Sequence, residues 1–580
     1  MARETLPRPV FYRTFRDFLR QLPLVAQRFW LLVVVTGAVA GLGSAALLWM
    51  LEVVKQLAWP QSDTFLGGVE AASPLRRVLV PALAGLLITG VSFFTHRPLG
   101  GHGTAGILEA IWVHRGKLAL GRTLLRGLLS IVAVAMGASL GREGALVSTG
   151  AASGSWLAER LHVTRRQARL LVACGAASGI AAAYDVPIGG ALFGLEVLLG
   201  SFALELLGPI VVSCVVATIL SRVLTRGHPG YVIPEYALMR PSEVLLGLAY
   251  APILGLASVV YVKVMGWVEV KVYQLPKQLT RWLPPLGLAL VGAASLRFPQ
   301  VLGNGYDTVN AALLGNVPLS LLLFLPVLKL AATAVCAGAG VPGGLFTPSL
   351  FFGGLIGGAL GELTQLVFHS GPPSGALVLI GMAGVLAGTT HAAVSSVLII
   401  FELTGDYGVI LPLMLSAAVA AGISRALEPD SLYTAPLRRR GVKLPELPRP
   451  DWLQVTPVSG LVTGLAERVG PGVPFQQVMV KLLALPPGQD LYVTGPDGEY
   501  LGVIELEALK GTISEEANLS MIVAADVMDR TVRPLTPEMR LTQVAARFAE
   551  SDLERLPVVD GHHRLLGSVS KRDLLKHGRF

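Results

Sequence analysis

Apolar segments separated by short polar breaks fill most of the first 440 residues of the chain. Residues 29–50 and 244–262 are long enough to span a bilayer as single helices, which takes about 20 residues. Other segments, such as 341–358, are interrupted by Gly or Pro well before that length. Broken helices at membrane depth are tolerated only where they pack inside protein or line a cavity. The pattern predicts an all-α polytopic membrane protein with broken helices over residues 28–445, after a cytoplasmic lead-in helix at 1–27.

An internal repeat joins the broken segments. The stretch that ends in GLE at Glu196 aligns with the stretch that ends in FE at Glu402, at a constant offset of 206 residues. The string GASLGREG, which ends at Gly144, faces GAGVPGGLFTP with a small gap. In transporters, short interrupted segments in matching positions of two halves mark the binding site. We therefore expect two inverted repeats with the site between them, and we interpret Glu196 and Glu402 as helix-end caps.

The pattern changes to that of a water-soluble domain after Arg440. Residues 490–504 predict a strand, an Asp-Gly turn and a second strand, and residues 556–569 repeat this pattern about sixty-five residues later. A helical pattern precedes the second copy and another follows it. We therefore expect two tandem α/β modules, at about 455–515 and 525–580, within a domain that spans 446–580.

Composition narrows the class of protein. Of the 580 residues, 52% are hydrophobic and only 15% are charged, which water-soluble domains do not average. The net charge of +9 is dispersed over loops and ends, so a positive-inside bias explains it better than a nucleic-acid partner. Three cysteines in apolar segments, Cys174, Cys214 and Cys336, give neither a disulfide framework nor the spacing of a zinc site. We expect membrane lipid around the protein and no bound metal.

Arg142 and Glu143 lie side by side in the glycine-rich string GREGA. An ionisable residue at membrane depth is costly and marks function by default. Helix N-termini bind anions, because free N–H groups and the positive end of the helix dipole point the same way. GREGA and GLFTP each place glycines before an apolar run suited to a helix, so two such N-termini would form an anion site. Glu143 would compete for the same amides and act as a gate; the alternative is a buried structural ion pair with Arg142.

These motifs resemble those of the CLC family of chloride channels and proton-coupled antiporters. The resemblance covers nearly the whole chain, and the tail resembles the paired CBS modules that many of these proteins carry. It implies a homodimer with one anion pore per subunit, no enzymatic activity and no required cofactor, in the plasma membrane with the CBS modules in the cytoplasm. The motifs that carry it are GREGA (141–145), GLFTP (344–348), GGHGTAG (100–106), FELTGDY (401–407) and SLYTAPL (431–437).

The resemblance also implies roles for single residues. Glu143 would be the external gating glutamate, and Tyr433 would offer its hydroxyl to the central anion unless it merely anchors the membrane interface. Val197 stands where coupled exchangers carry a proton-transferring glutamate. This favours a voltage- or pH-gated channel that moves anions passively, with a proton-coupled chloride or fluoride antiporter as the alternative. His102 replaces the family's central serine, and the alternative is a loop or packing histidine that a shift of the glycine-rich loop keeps away from the pore. The expected anion-binding residues are His102, Gly103, Arg142, Glu143, Gly144, Leu345, Phe346 and Tyr433.

A distant alternative is an intramembrane serine hydrolase, because residues 137–141 form a Gly-x-Ser-x-Gly string around Ser139. The nucleophile elbow needs a strand, a turn and a helix under a soluble sheet, which this apolar context does not offer. Ser139 would also need a histidine within reach, and His102 and His391 are the deep candidates. A divalent-cation transporter would need more membrane acids than the sequence provides.

The tail carries one candidate nucleotide site. Gly567, Ser570 and Asp573 form the Gly-x-x-Ser-x-x-Asp string that resembles the adenosine-binding pattern of CBS modules. The first module has lost both the hydroxyl and the acid at the matching positions. We therefore expect an adenine nucleotide at a single site at most, with two purely structural modules as the alternative.

Overall fold

A computed structural model describes the chain over residues 24–95, 103–225, 230–234, 236, 241–369, 372–442, 458, 462, 467–486, 489–506, 509, 522–539, 543–544, 547–548, 551 and 553–573. The chain divides into two compact units, Met1–Leu444 and Pro445–Phe580. Most of the predicted lead-in helix at 1–27 lies outside the described residues, and so does His102.

Helices build the described part of the first unit. In chain order they are α1 (Leu24–Ala58), α2 (Phe65–Ala71), α3 (Pro74–Thr95), α4 (Gly103–Trp112), α5 (Leu120–Ala135), α6 (Glu143–Arg160), α7 (Arg165–Tyr184), α8 (Pro187–Phe193), α9 (Leu204–Thr225), α10 (Pro241–Tyr273), α11 (Lys277–Thr280), α12 (Leu283–Ala294), α13 (Tyr306–Leu313), α14 (Leu319–Gly338), α15 (Phe346–Phe368), α16 (Ser374–Thr390), α17 (Ala393–Thr404), α18 (Ile410–Leu427) and α19 (Ala435–Arg439). A π-helical turn, Gly194–Leu199, continues α8.

Long and short apolar helices alternate, as expected for a multi-pass membrane protein with broken helices. Among the described residues, seven helices are long and apolar enough to cross a membrane, whereas α8 with its π turn, α12, α16 and α17 are apolar but shorter. The break between α7 and α8 has a local cause. Asp185 ends α7 in the left-handed conformation, and Pro187 then occupies the first position of α8, where its missing N–H costs nothing.

The helices form two repeats with matching neighbours. In the first repeat α6 packs against α5 and α7, and α1 packs against α9. In the second repeat α15 packs against α14 and α16 in the same way, and α10 packs against α18. The short helices α8 and α17 contact each other where the repeats meet. The all-helical membrane fold predicted from the sequence is confirmed.

Two glutamates cap the short helices across the boundary between the repeats. The Glu196 carboxylate accepts hydrogen bonds from the Ser395 N–H and hydroxyl, both at 2.7 Å, at the start of α17. The Glu402 carboxylate accepts one from the Gly189 N–H, at 2.6 Å, at the start of α8. The two carboxylates lie 206 residues apart, and so do Gly189 and Ser395. This exchange of caps confirms the interpretation of both glutamates, because carboxylates satisfy the free N–H groups of a helix N-terminus.

The second unit is α/β, as the tail pattern predicts. Strands β1 (Arg468–Val469) and β2 (Leu491–Thr494) are parallel, and β2 is antiparallel to β3 (Tyr500–Ile504). Strands β4 (Arg555–Val559) and β5 (Leu565–Ser570) form a separate antiparallel pair. The Tyr500 N–H donates to the His563 carbonyl at 2.9 Å and so joins the two strand pairs. The described elements are β1 (Arg468–Val469), α20 (Phe475–Ala484), β2 (Leu491–Thr494), β3 (Tyr500–Ile504), α21 (Ala524–Val527), β4 (Arg555–Val559) and β5 (Leu565–Ser570).

Asp490, directly before β2, is a partly buried acid with one unsatisfied carboxylate oxygen. Its Oδ2 atom is buried and accepts no hydrogen bond from any described residue. Burial, and secondly the negative charge of Glu505, raise the pKa of Asp490 to about 7. The ionised carboxylate therefore destabilises the folded second unit.

This shift makes the stability of the second unit depend on pH. Because the pKa of Asp490 is higher in the folded chain than in the unfolded chain, the free energy of unfolding should fall as pH rises from about 4 to about 7. We expect a fall of roughly 1–2 kcal/mol, allowing for solvent near this partly exposed group. Hydrogen exchange of the β2 amides in the full-length protein measures it. Asp490→Asn should flatten the dependence, and an equal slope in both proteins would contradict it.

Candidate functional site

The two glycine-rich motifs lie against each other. The Gly141 N–H donates to the Gly344 carbonyl at 2.8 Å, and the Gly344 N–H donates back to the Gly141 carbonyl at 2.8 Å. A Cβ atom on Gly144 would lie 2.9 Å from the Gly344 nitrogen, so the close approach requires glycine. Helices α6 and α15 begin two residues after the bridging glycines. Their N-termini therefore start from the same place, between the two repeats.

Glu143 extends from the start of α6 to the N-terminus of α15. The side chain is buried, and its Oε1 accepts a hydrogen bond from the Thr347 N–H at 3.0 Å. The Thr347 hydroxyl donates to Oε2 at 2.8 Å, and the Tyr184 hydroxyl lies 3.5 Å from the same oxygen. The Tyr184 and Thr347 hydroxyl oxygens are themselves 2.7 Å apart. The carboxylate thus occupies a helix N-terminus, which is a favourable position for an anion.

Arg142 turns away from the carboxylate next to it. Its guanidinium lies 5.0 Å from the centre of the Tyr306 ring, and Nη2 donates to the Ala183 carbonyl at 3.3 Å. No ion pair joins Arg142 to Glu143 among the ion pairs of the described residues. The structural ion pair considered from the sequence is therefore not formed, and the carboxylate of Glu143 is held by neutral donors.

Tyr433 and Gly103 approach the same region from two other segments. Tyr433 is only 4% exposed, and its ring packs edge to face on Phe193, which packs in the same manner on Phe346. A buried ring does not fit an anchor at the membrane interface. Gly103 begins α4 so close to α6 that a Cβ atom there would lie 2.5 Å from the Ser148 hydroxyl oxygen. The anion contacts of these residues, and of Leu345 and Phe346, stay predictions.

The position expected to carry a proton in coupled exchangers is apolar. Val197 is buried in the π-helical turn after α8. The adjacent acid, Glu196, is engaged by the start of α17. Neither side chain therefore offers a free carboxylate at this point.

Comparison with known proteins places these motifs in one family. A family model described as voltage gated chloride channel matches residues 85–425. The voltage-gated ClC-type chloride channel ClcB of Escherichia coli O139:H28 (strain E24377A / ETEC) is 36% identical over 387 residues, which cover 64% of this chain and 89% of ClcB. ClcB of Escherichia coli O157:H7 (strain EC4115 / EHEC) is 37% identical over 387 residues, which again cover 64% of this chain and 89% of that ClcB. The chain belongs to the voltage gated chloride channel family.

Solved structures share the CLC fold of this chain. A slow cyanobacterial Cl−/H+ antiporter has a TM-score of 0.65 at 23% identity, and the match covers 72% of this chain and 98% of the antiporter. A eukaryotic CLC transporter has a TM-score of 0.62 at 20% identity, and the match covers 95% of this chain and 98% of the transporter. A CLC-type fluoride/proton antiporter has a TM-score of 0.60 at 20% identity, and the match covers 72% of this chain and 99% of that antiporter. At these identities the likeness extends to the fold alone.

Membership of the CLC family makes the chain an anion transporter and not an enzyme. The serine hydrolase considered from the sequence is therefore wrong. The structure agrees, because Ser139 is fully buried and its hydroxyl oxygen lies 3.4 Å from the Thr333 hydroxyl oxygen. A hydroxyl neighbour does not activate a serine as a nucleophile, which requires a general base.

The tail of this CLC protein matches a CBS domain model over residues 523–579. The Ser570 hydroxyl donates to the Asp573 carboxylate at 2.6 Å, and the Asp573 N–H donates to the Ser570 hydroxyl oxygen at 3.0 Å. A nucleotide that used both groups would compete with this reciprocal pair. The adenine-nucleotide site stays a prediction.

Two contacts of the Glu143 carboxylate were not predicted from the sequence. The sequence could have indicated Thr347 as a donor to Glu143, because it is the second residue of α15. The N–H groups in the first turn of a helix have no partner within that helix. No sequence feature indicates the contact of Tyr184, because this residue lies 41 residues from Glu143 at the far end of α7. Only the packing of α7 against α6 brings them together.

We expect Thr347→Val to weaken the hold on Glu143 with little change of volume. A hydrogen bond to a charged group contributes about 1.5–3 kcal/mol. The population in which Glu143 has left Thr347 should therefore rise roughly tenfold or more relative to the population in which the two are hydrogen-bonded. Chloride efflux from liposomes at neutral pH should rise accordingly, measured at equal protein content. Thr347→Ser keeps the hydroxyl and should behave like the wild-type protein. Equal efflux from the Val and Ser variants would show that the hydroxyl does not hold the gate.

Proposed function

We propose that this CLC protein is a chloride-type anion channel that moves anions passively and opens when Glu143 leaves the N-terminus of α15. The observation that carries the proposal is the pair of hydrogen bonds from Thr347 to the Glu143 carboxylate. A carboxylate in this position competes with a permeating anion for the same donors. Protonation removes its charge, and rotation of the side chain removes its oxygens, so either event would free the donors for an anion.

The remaining donors suit transit rather than trapping. The anion would be held by the backbone amides at the starts of α6 and α15, from Arg142, Glu143, Gly144, Leu345 and Phe346. Tyr433 would add a neutral hydroxyl, and Gly103, which packs closely against α6, is a further expected contact. Conduction requires binding that is favourable enough for entry and weak enough for exit. Neutral amides and a hydroxyl provide such binding, whereas a fully charged ligand in the same place would retain the ion.

The preference for passive transport rests on Val197. A proton that enters from the inner side needs a titratable group there, and valine has none. Glu196 is the adjacent acid, but its oxygens accept hydrogen bonds from Ser395. A proton-coupled chloride or fluoride antiporter is the second candidate, favoured by the antiporters among the solved structures with the same fold.

We also propose a homodimer in the plasma membrane, with the CBS modules in the cytoplasm. The dimer rests on the resemblance to the CLC family, and the exposed apolar side chains of α8, α9, α17 and α18 are a surface that either lipid or a second subunit would cover. Large apolar side chains exposed on these four helices include Ile188, Val215, Ile219, Val394, Leu411, Met414 and Leu415.

Proton coupling distinguishes the two candidates. In liposomes with an outward chloride gradient and simultaneous recording of pH, the wild-type protein should release chloride with little accompanying proton movement. Val197→Glu introduces an acid at the position in question, and Val197→Gln is its neutral control of similar shape. Proton uptake against a pH gradient by the wild-type protein, in a fixed ratio to chloride, would contradict the channel and favour the antiporter.

A further inference from the structure

We propose that the protein has a second anion site, in a small cavity between α5 and the first turns of α6, with Arg126 as its cationic ligand. The ligand class is a small monovalent anion such as chloride. The cavity is lined by Arg126 and Ser130 of α5, by Gly144 and Ser148 of α6, by Gly103 at the start of α4, and by residues 342–343 before α15. It has room for about one water-sized particle.

Two polar groups beside the cavity lack a hydrogen-bond partner among the described residues. The Arg126 Nη2 atom is buried and makes no hydrogen bond to any described residue. The same holds for the Ser130 hydroxyl, which lies in a side chain that is 2% exposed. A buried donor without a partner costs about 1–3 kcal/mol, and a buried charge costs more. A bound particle that accepts hydrogen bonds would remove these costs.

The charges near the cavity favour an anion over water or a cation. No carboxylate pairs with Arg126 among the ion pairs of the described residues. The charge that acts on it most is another cation, Arg440. Arg440 is itself paired with the Glu109 carboxylate at 3.2 Å, so Arg126 carries the unpaired positive charge beside the cavity, and the positive end of α6 adds to it. An anion would neutralise the guanidinium, which a water molecule does not.

The second repeat supplies an internal comparison. An offset of 203 residues separates Gly141 from Gly344, and the same offset separates Arg126 on α5 from Lys329 on α14. Lys329 is fully buried, and its ammonium donates to the Val301 carbonyl at 3.0 Å and to the Gly303 carbonyl at 2.7 Å. The protein therefore satisfies the cation in one repeat with its own carbonyls. In the other repeat it leaves the matching guanidinium open to a cavity.

The cavity is separate from the position of the gate. Its lining does not include Glu143, Thr347, Phe346 or Tyr433. It shares Gly103 and Gly144 with the proposed pore, but the Glu143 side chain does not enter it, so an anion could occupy it while Glu143 stays at the N-terminus of α15. The site therefore goes beyond the proposed channel function and does not require it.

Chloride can be located directly by its anomalous X-ray scattering at long wavelength, in crystals of the full-length protein grown over a range of chloride concentrations. The wild-type protein should show a peak in the cavity beside Arg126. Arg126→Gln should raise the chloride concentration for half occupancy by roughly 10- to 100-fold, as expected for the loss of a charged hydrogen bond. Arg126→Lys should keep the peak. Ser130→Ala, which removes one hydroxyl without a change of charge, should weaken it and serves if Arg126→Gln does not fold.

The outcomes separate the second site from the channel. Chloride between the starts of α6 and α15, together with only water beside Arg126, would overturn the second site and leave the proposed function intact. A cavity peak of unchanged half occupancy in Arg126→Gln and Ser130→Ala would overturn the assignment of its ligands. A cavity peak in a protein that shows no chloride flux would support the second site and contradict the channel.

Discussion

The meeting of two helix N-termini at the Gly141–Gly344 bridge is the constraint on which the rest of the structure depends. Each N-terminus offers backbone N–H groups without a partner in its own helix, and the two sets face one region between the repeats. Positive potential without a full charge results, so an anion or a carboxylate is stabilised there. Glu143 provides that carboxylate from α6, and Thr347 of α15 holds it.

The repeats keep this arrangement in place by exchanging side chains. Glu196 caps α17 and Glu402 caps α8, so each half of the chain completes a helix of the other half. Short helices such as α8, with seven residues, are marginal on their own and depend on such contacts and on packing. The same exchange occupies the acid nearest to Val197. Structural support for the repeat boundary and the lack of a free carboxylate beside Val197 are therefore connected.

The fold and the meeting of the two glycine-rich motifs between the repeats were predictable from sequence, because each depends on a pattern of residues along the chain. Interrupted apolar segments and the offset of 206 residues predicted broken helices, two repeats and the capping roles of Glu196 and Glu402. Contacts that depend on packing were not predictable. Tyr184 reaches Glu143 only through the packing of α7 on α6. Arg126 and Lys329 occupy matching positions of the two repeats, but the difference between them lies in their hydrogen-bond partners, which the sequence does not show. His102 lies outside the described residues, so its place at the pore stays a prediction.

The most direct test of the account is the pH dependence of chloride efflux in Glu143→Gln. The amide has the shape of the carboxylate without its charge, so it should no longer compete with chloride for the amides at the start of α15. We expect efflux that is faster than in the wild-type protein at neutral pH and nearly independent of pH. Glu159→Gln, on the exposed end of the same helix, is the matched control and should retain the wild-type profile. Wild-type efflux with an unchanged pH response in Glu143→Gln would contradict the assignment of the gate.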